Sequence, residues 1–286
     1  MGILFSTWAC YFTAFFLACL GCGLLLRRGF VPLHLSALVG ISAFIFTAFC
    51  GKVGLHPILA AVIALIVVMG ASALIGLIFL RMRGTAAALA TISVQIIFDR
   101  YVATAEWTGA STGIWQGIPI LSPGIKVVLC VLAIIICSSV YAAFQRTNAS
   151  RLLIADGFNP LLVASTVPSL PITPLIVSNL AVGLCAGCAG LVFTLQTGFV
   201  SPTGFSLNWG LLYAGTILLV GWQNLGAIAI GAFILTLLPE ILRYSGLGQS
   251  NLSAWRGFIV GVVIALVVWV QFPRMVAVNK YLRKAA

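Results

Sequence analysis

The sequence predicts an all-α polytopic membrane protein of about nine transmembrane helices, within a range of eight to ten, forming two inverted-repeat halves of one domain over residues 1–286. Three observations carry this reading. Hydrophobic residues make up 62% of the 286 and charged residues 7%, with a mean hydropathy of +1.20, whereas a soluble domain holds about 25% charged residues. The apolar residues fall in runs close to the roughly 20 residues that a helix needs to cross a ~30 Å hydrocarbon core. The 15 Lys and Arg lie almost entirely between those runs, the distribution that membrane insertion favours.

The runs follow in order. Leu4 to Leu26 is uncharged and is followed by Arg27 and Arg28. A cleaved signal peptide carries its positive charge before its apolar core, so this run reads as a span. Val31 to Phe49, Ile58 to Leu80, Thr85 to Val102, Val127 to Phe144, Ile172 to Leu195, Phe205 to Trp222, Leu225 to Leu242 and Gly257 to Phe272 complete the set. Threaded from an outside N-terminus, they leave ten basic residues inside and five outside. That excess orients the chain with its N-terminus outside and its C-terminus in the cytoplasm.

Two spans look interrupted. Pro202, Gly204, Gly210, Gly215 and Gly221 punctuate the stretch from Gly198 to Trp222, and the second span carries His34, Gly40 and Gly51. Unwound backbone survives at membrane depth only where protein or a water-filled cavity satisfies it. The stretch from His34-Leu35-Ser36 to Leu80-Arg81-Met82-Arg83-Gly84 runs parallel in sequence to that from Phe205-Ser206-Leu207 to Leu242-Arg243-Tyr244-Ser245-Gly246. In the threading the two copies cross in opposite directions, as an inverted repeat requires.

Of the longer connections, Ala103 to Pro123 has no Lys or Arg and belongs outside, with Trp107 and Trp115 as interfacial anchors. Residues 145–171 form the one long inside connection. Its mildly apolar middle and its closing prolines predict a short surface helix over Ser150 to Ser165.

Several function classes drop out. Short connections leave no room for a soluble catalytic domain, and no G-x-x-x-x-G-K-[ST] phosphate loop occurs. The net charge of +11 follows the span ends, so it reads as positive-inside asymmetry and not as a nucleic-acid surface. Cys19/Cys22 and Cys185/Cys188 lie in apolar runs without a nearby His or acid and read as small buried residues, not as metal ligands. No nucleophile and base pair and no HExxH is present. The chain reads as a non-enzyme without catalytic or metal residues.

A resemblance sharpens the picture. The segments Gly190-Leu191-Val192-Phe193, Gly198-Phe199-Val200-Ser201-Pro202 and Gly231-Ala232-Phe233-Ile234-Leu235-Thr236-Leu237-Leu238-Pro239-Glu240-Ile241-Leu242-Arg243 resemble the permease subunits of ABC importers for branched-chain amino acids, of the M-subunit type. Leu80-Arg81-Met82-Arg83-Gly84 followed by Ala90-Thr91-Ile92, then Thr108-Gly109 through Gly117-Ile118-Pro119, resemble earlier parts of that family in the right order. The likeness runs from about Leu33 to Pro273. It departs where the family has a G-G-x-G-[ST] turn and this chain reads Val220-Gly221-Trp222-Gln223-Asn224-Leu225-Gly226.

The resemblance implies a type II ABC importer membrane subunit in a bacterial inner membrane. It implies a second homologous permease, two ABC ATPase subunits that bind the ATP and Mg, and an external solute-binding protein as partners. No cofactor is expected on this chain. The 145–171 connection becomes the cytoplasmic coupling loop, with Arg151, Asp156, Phe158, Asn159 and Leu162 as the residues that meet the ATPase.

For the substrate pathway the residues themselves nominate Thr91, Gln95 and Asp99, one face of the fourth span at intervals of four. Gln196, Ser201 and Asn208 flank the interrupted segment and offer dipoles to a zwitterion. An ion-coupled secondary transporter is the competing class. It needs ionisable residues at mid-membrane, and the spans offer Asp99 and Glu240, both near predicted ends.

Overall fold

The computed structural model describes residues 2–29, 31–82, 84–115, 122–158, 163 and 172–244, with isolated positions at 261, 262, 265 and 269. The helices are α1 (Gly2–Leu26), α2 (Leu35–Gly51), α3 (Pro57–Ile78), α4 (Gly84–Thr104), α5 (Pro123–Arg146), α6 (Asn148–Phe158), α7 (Ile172–Thr197), α8 (Leu207–Val220) and α9 (Leu225–Tyr244). Six helical segments among the described residues are long and apolar enough to cross a membrane, and α2 and the Leu225–Leu237 part of α9 are shorter apolar helices. The fold is all-α and polytopic, as the sequence predicts. The ninth expected span, Gly257 to Phe272, lies outside the described residues but for four positions.

Burial sorts the helices into two shells. Of the crossing stretches, α1 is 78% buried and α7 67%, while α3, α4 and α5 are each 22% buried. α1 packs on α7, α5, α9 and α8, and α7 packs also on α2 and α3. The outward faces of α3 and α5 are rows of large aliphatics such as Ile58, Val62, Ile66 and Leu74, or Val128, Leu132, Ile135 and Ile136. Lipid is as apolar as these side chains, so exposing them there costs nothing.

Without water to drive association inside a bilayer, helices must gain from close packing and hydrogen bonds. α7 meets this need with small residues. A Cβ on Gly190 would stand 2.4 Å from the Val39 carbonyl oxygen of α2, and one on Gly183 would stand 2.6 Å from Met69 Cα of α3. Two hydroxyls close the same seams, Ser42 Oγ donating to the Gly187 carbonyl at 2.8 Å and Ser72 Oγ to that of Asn179 at 2.7 Å. Cys19, Cys22 and Cys185 are fully buried in this core and Cys188 is half-buried.

One pairing does not show in the hydropathy pattern. The loop after α4 returns as β1 (Ile114–Trp115), which pairs antiparallel with β2 (Phe199–Val200), placing Ile114 opposite Val200 and Trp115 opposite Phe199. This ties the α4–α5 connection to the segment that leads into α8.

The seam carries a prediction. Gly190→Ala should destabilise the protein by about 1–3 kcal/mol, because backbone must move to admit the methyl. Gly70→Ala, where nothing stands within 4 Å, should leave stability unchanged or raise it by up to ~1 kcal/mol. Thermal unfolding in detergent, followed by tryptophan fluorescence, compares the two.

Candidate functional site

At 17 and 14 residues, α2 and α8 are about 26 and 21 Å long, short of a ~30 Å core. α2 begins inside the bundle, and α8 begins half-buried at its edge, with Asn208 exposed. Leu33, His34, Leu35 and Ser36 are buried, as are Phe205 and Gly210 at the start of α8, and Gly210 is packed so closely that a Cβ would stand 2.5 Å from the Leu33 carbonyl oxygen. A helix start removed from water leaves N–H groups that need partners. Neither His34 nor Ser206, the residues that precede the two helices, caps its own helix with a side chain.

The partners come from α4. Gln95 Oε1 accepts from Ser36 Oγ at 2.7 Å and from the Ala37 N–H at 2.8 Å. Its Nε2 donates to Asp99 Oδ1 at 2.8 Å and to the Phe205 carbonyl at 2.9 Å. The Asp99 carboxylate lies close to the Leu207 backbone, at the first residue of α8. One turn earlier, Thr91 Oγ1 accepts from the Leu33 N–H at 3.4 Å and donates to the carbonyls of Val31 and Ala88. The spacing of four along α4 therefore sets three polar groups in a row against the starts of two broken helices.

This arrangement assigns the nominated residues different tasks. Thr91 and Gln95 are fully buried, and the two lone pairs and two N–H groups of the Gln95 amide are all used within the chain. Asp99 is half-buried. Asn208 is exposed, and Ser201 is half-buried with its hydroxyl 3.0 Å from that of Thr203. Gln196 joins a different set: its Nε2 donates to Thr7 Oγ1 at 3.0 Å and its Oε1 accepts from Lys126 Nζ at 3.1 Å, binding α7 to α1 and α5. Ser36 belongs to the junction although its sequence position gave no signal beyond following His34.

At the end of the bundle where α1 stops, α6 lies against the protein. Ser150, Leu153 and Asp156 recur at intervals of three and are buried, while Arg151 is exposed. Asp156 Oδ2 lies 3.6 Å from Arg28 Nε, with the two side chains 6% and 8% exposed. The sequence reading sets Asp156 among the residues that meet an ATPase; the fold turns it inward, because an ion pair with Arg28 is available there. Leu153 and Val163 are likewise buried within the protein. The Phe158 side chain, Asn159 and Leu162 lie outside the described residues, as does the Glu240 side chain.

Two consecutive arginines surround this contact, and composition had one clue to them. Asp156 is the one acid on the inside of the threaded chain, facing a pair of span-terminal arginines. Arg27 is 4% exposed and sits against three rings, with its Cζ 5.0, 5.3 and 5.8 Å from the centroids of Trp222, Tyr141 and Phe144. It also donates to Ser150 Oγ, and Tyr141 Oη donates to the Trp222 carbonyl.

The junction predicts an asymmetry between two substitutions. Gln95→Leu strands the Ser36 hydroxyl and the Phe205 carbonyl, and leaves the Ala37 N–H only its bond to the His34 carbonyl. At roughly 1–3 kcal/mol per buried group left unpaired, a loss of several kcal/mol should appear as a lower unfolding temperature in detergent. Asn208→Leu, at an exposed position, should stay within ~0.5 kcal/mol of the parent.

Comparison with curated proteins finds no match, and comparison with solved structures finds none either. A family model described as branched-chain amino acid transport system, permease component, matches residues 4–268. That span takes in every helix described above, both broken helices and the α4 residues that hold them. The chain belongs to the family of permease components of branched-chain amino acid transport systems.

Proposed function

We propose that this chain is the pathway-forming membrane subunit of an ATP-driven importer in a bacterial inner membrane, carrying branched-chain amino acids or a related small polar solute. It works beside a second homologous permease, two ABC ATPase subunits that bind ATP and Mg, and an external binding protein that delivers the solute. The N-terminus is outside and the C-terminus cytoplasmic. The observation that carries this reading is the family match over residues 4–268. The junction beneath α4 supports it, since discontinuous helices whose starts lie inside a bundle are a device of transporters.

The pathway passes beside this junction. Thr91 and Gln95 hold the two helix starts from behind, and Asp99, Ser201 and Asn208 present their polar groups toward the solute. Gln196 belongs to the outer rim on α7. α6 is the helix that receives the ATPase, through its outer face at Arg151 and through Phe158, Asn159 and Leu162, with Asp156 fixing the helix to the permease. ATP-driven closure of the ATPase pair displaces this helix, and rigid-body rocking of the halves turns the pathway over.

The test begins with a tagged copy of the chain purified from its native membrane. An ABC ATPase should co-purify in comparable amount, and proteoliposomes of the complex should accumulate radiolabelled leucine only when ATP is supplied on the ATPase side. If the chain purifies alone and a proton or sodium gradient drives leucine uptake without ATP, the ion-coupled reading replaces this one. Within the complex, Phe158→Ala should weaken retention of the ATPase by about 2 kcal/mol or more, the cost of truncating an interface aromatic, while the permease level in the membrane stays the same. Retention and uptake at parental levels in that variant place the docking contact elsewhere.

A further inference from the structure

The chain connects α6 covalently to α5 before it and to α7 after it, so a push on α6 has an obvious route into those two helices. Its side-chain fastenings lead somewhere else. Ser150 accepts from Arg27 and Asp156 pairs with Arg28, so both points of attachment are at the end of α1. Six residues apart on a helix is about 9 Å along its axis, and two attachments that far apart resist tilting as well as sliding. Between them Leu153 is 2% exposed. Beyond them the backbones touch: a Cβ on Gly157 would stand 2.9 Å from the Arg28 carbonyl carbon and 3.2 Å from the Arg27 carbonyl oxygen.

Each arginine carries the connection one helix further. Arg28 Nη1 donates to the Phe79 carbonyl at 3.2 Å and Nη2 to the Leu80 carbonyl at 2.6 Å, beyond the last turn of α3. One guanidinium thus joins α6, α1 and the end of α3, a task that needs several donors fixed in one plane. Arg27 joins α6 and α1 to the end of α5 and to the α8–α9 turn through its three rings, and Gln145 Nε2 reinforces that turn by donating to the Gln223 carbonyl at 3.1 Å. A small cavity of about 10 Å³ lies directly behind Arg28, bordered by His34, Phe79, Leu153 and Asn179. Neither ring nitrogen of His34 has a hydrogen-bond partner among the described residues.

Buried ion pairs contribute little net stability, because desolvation offsets the attraction. Their use here is geometric. Resting on the reading of α6 as the ATPase-receiving helix, we infer that Arg27 and Arg28 are positioning residues that form a two-point latch, through which movement of α6 is delivered to α1 and the end of α3.

The complex purified from native membranes, reconstituted in liposomes, tests this by two measurements on each sample: ATP hydrolysed and radiolabelled leucine taken up. Arg28→Lys keeps the charge but not the fork. It should leave the ATPase content of the complex unchanged and lower leucine uptake per ATP about tenfold, inside the range that coupling between sites usually spans. Asp156→Asn should lower it in the same direction, and Arg146→Lys, at an exposed position, should not. A residue that only supports folding would reduce hydrolysis and uptake together and leave their ratio untouched, so an unchanged ratio in Arg28→Lys and Asp156→Asn overturns the latch. Should both variants fail to accumulate, Ser150→Ala decides: a lowered ratio supports the latch and a parental ratio overturns it. Parental complex that hydrolyses no ATP, or takes up no leucine with it, counts against the proposed function and is visible before any variant is made.

Discussion

A helix that begins inside an apolar bundle exposes N–H groups to surroundings that cannot satisfy them, and much of this protein is arranged around that constraint. The start of α2 is buried in this way, and α8 starts half-buried beside it. The preceding side chains of His34 and Ser206 do not cap the helices, although their carbonyls accept from the first turns. The rest is supplied from the side by α4, where Thr91 accepts from the Leu33 N–H and Gln95 from the Ala37 N–H. Because Gln95 binds both α2 and the segment before α8, the two helix starts are held to one another as well as to α4. An apolar residue at 95 would cost more than one bond, since it would leave the Ser36 hydroxyl and the Phe205 carbonyl unpaired.

The rest of the bundle makes this junction possible. α7 runs through the interior, and its glycines let α2 and α3 approach until backbone meets backbone. That closeness places the start of α2 within reach of α4. The short β1–β2 pairing draws the chain after α7 back toward α4, which brings Phe205 and Leu207 to Gln95 and Asp99. Where the outer helices present aliphatic rows outward, they supply a surface suited to lipid and no polar chemistry. Polar groups are concentrated at the junction and at the end of α1. These are two separate polar centres in one apolar protein.

At the second centre the physical difficulty is reversed. The junction must supply acceptors to buried N–H groups, whereas the end of α1 buries two positive charges beside one carboxylate among the described residues. Arg28 is balanced by Asp156 and by two carbonyls. Arg27 has aromatic faces and a hydroxyl, and the negative face of an aromatic ring attracts a cation even where water is excluded. The turn at Val220-Gly221-Trp222-Gln223-Asn224 supplies one of those rings. Trp222 therefore has a structural task in that turn.

Sequence alone determined the limits of most of the described apolar helices, because lipid forces backbone hydrogen bonds to close within a segment and so makes helix formation a local matter. Val31 to Phe49 became Leu35–Gly51, Ile58 to Leu80 became Pro57–Ile78, and Ile172 to Leu195 became Ile172–Thr197. It also singled out Thr91, Gln95 and Asp99, whose common face follows from helical periodicity. It placed a helix in the 145–171 connection, starting two residues later than the observed Asn148. What faces what was settled by tertiary structure. That Gln95 is spent on Ser36 and Phe205, that Gln196 binds Thr7 and Lys126, and that Asp156 turns inward to Arg28 all depend on partners tens of residues or more away along the chain. Hydropathy measures how much a residue favours leaving water, and carries no record of which distant group will meet it when it does.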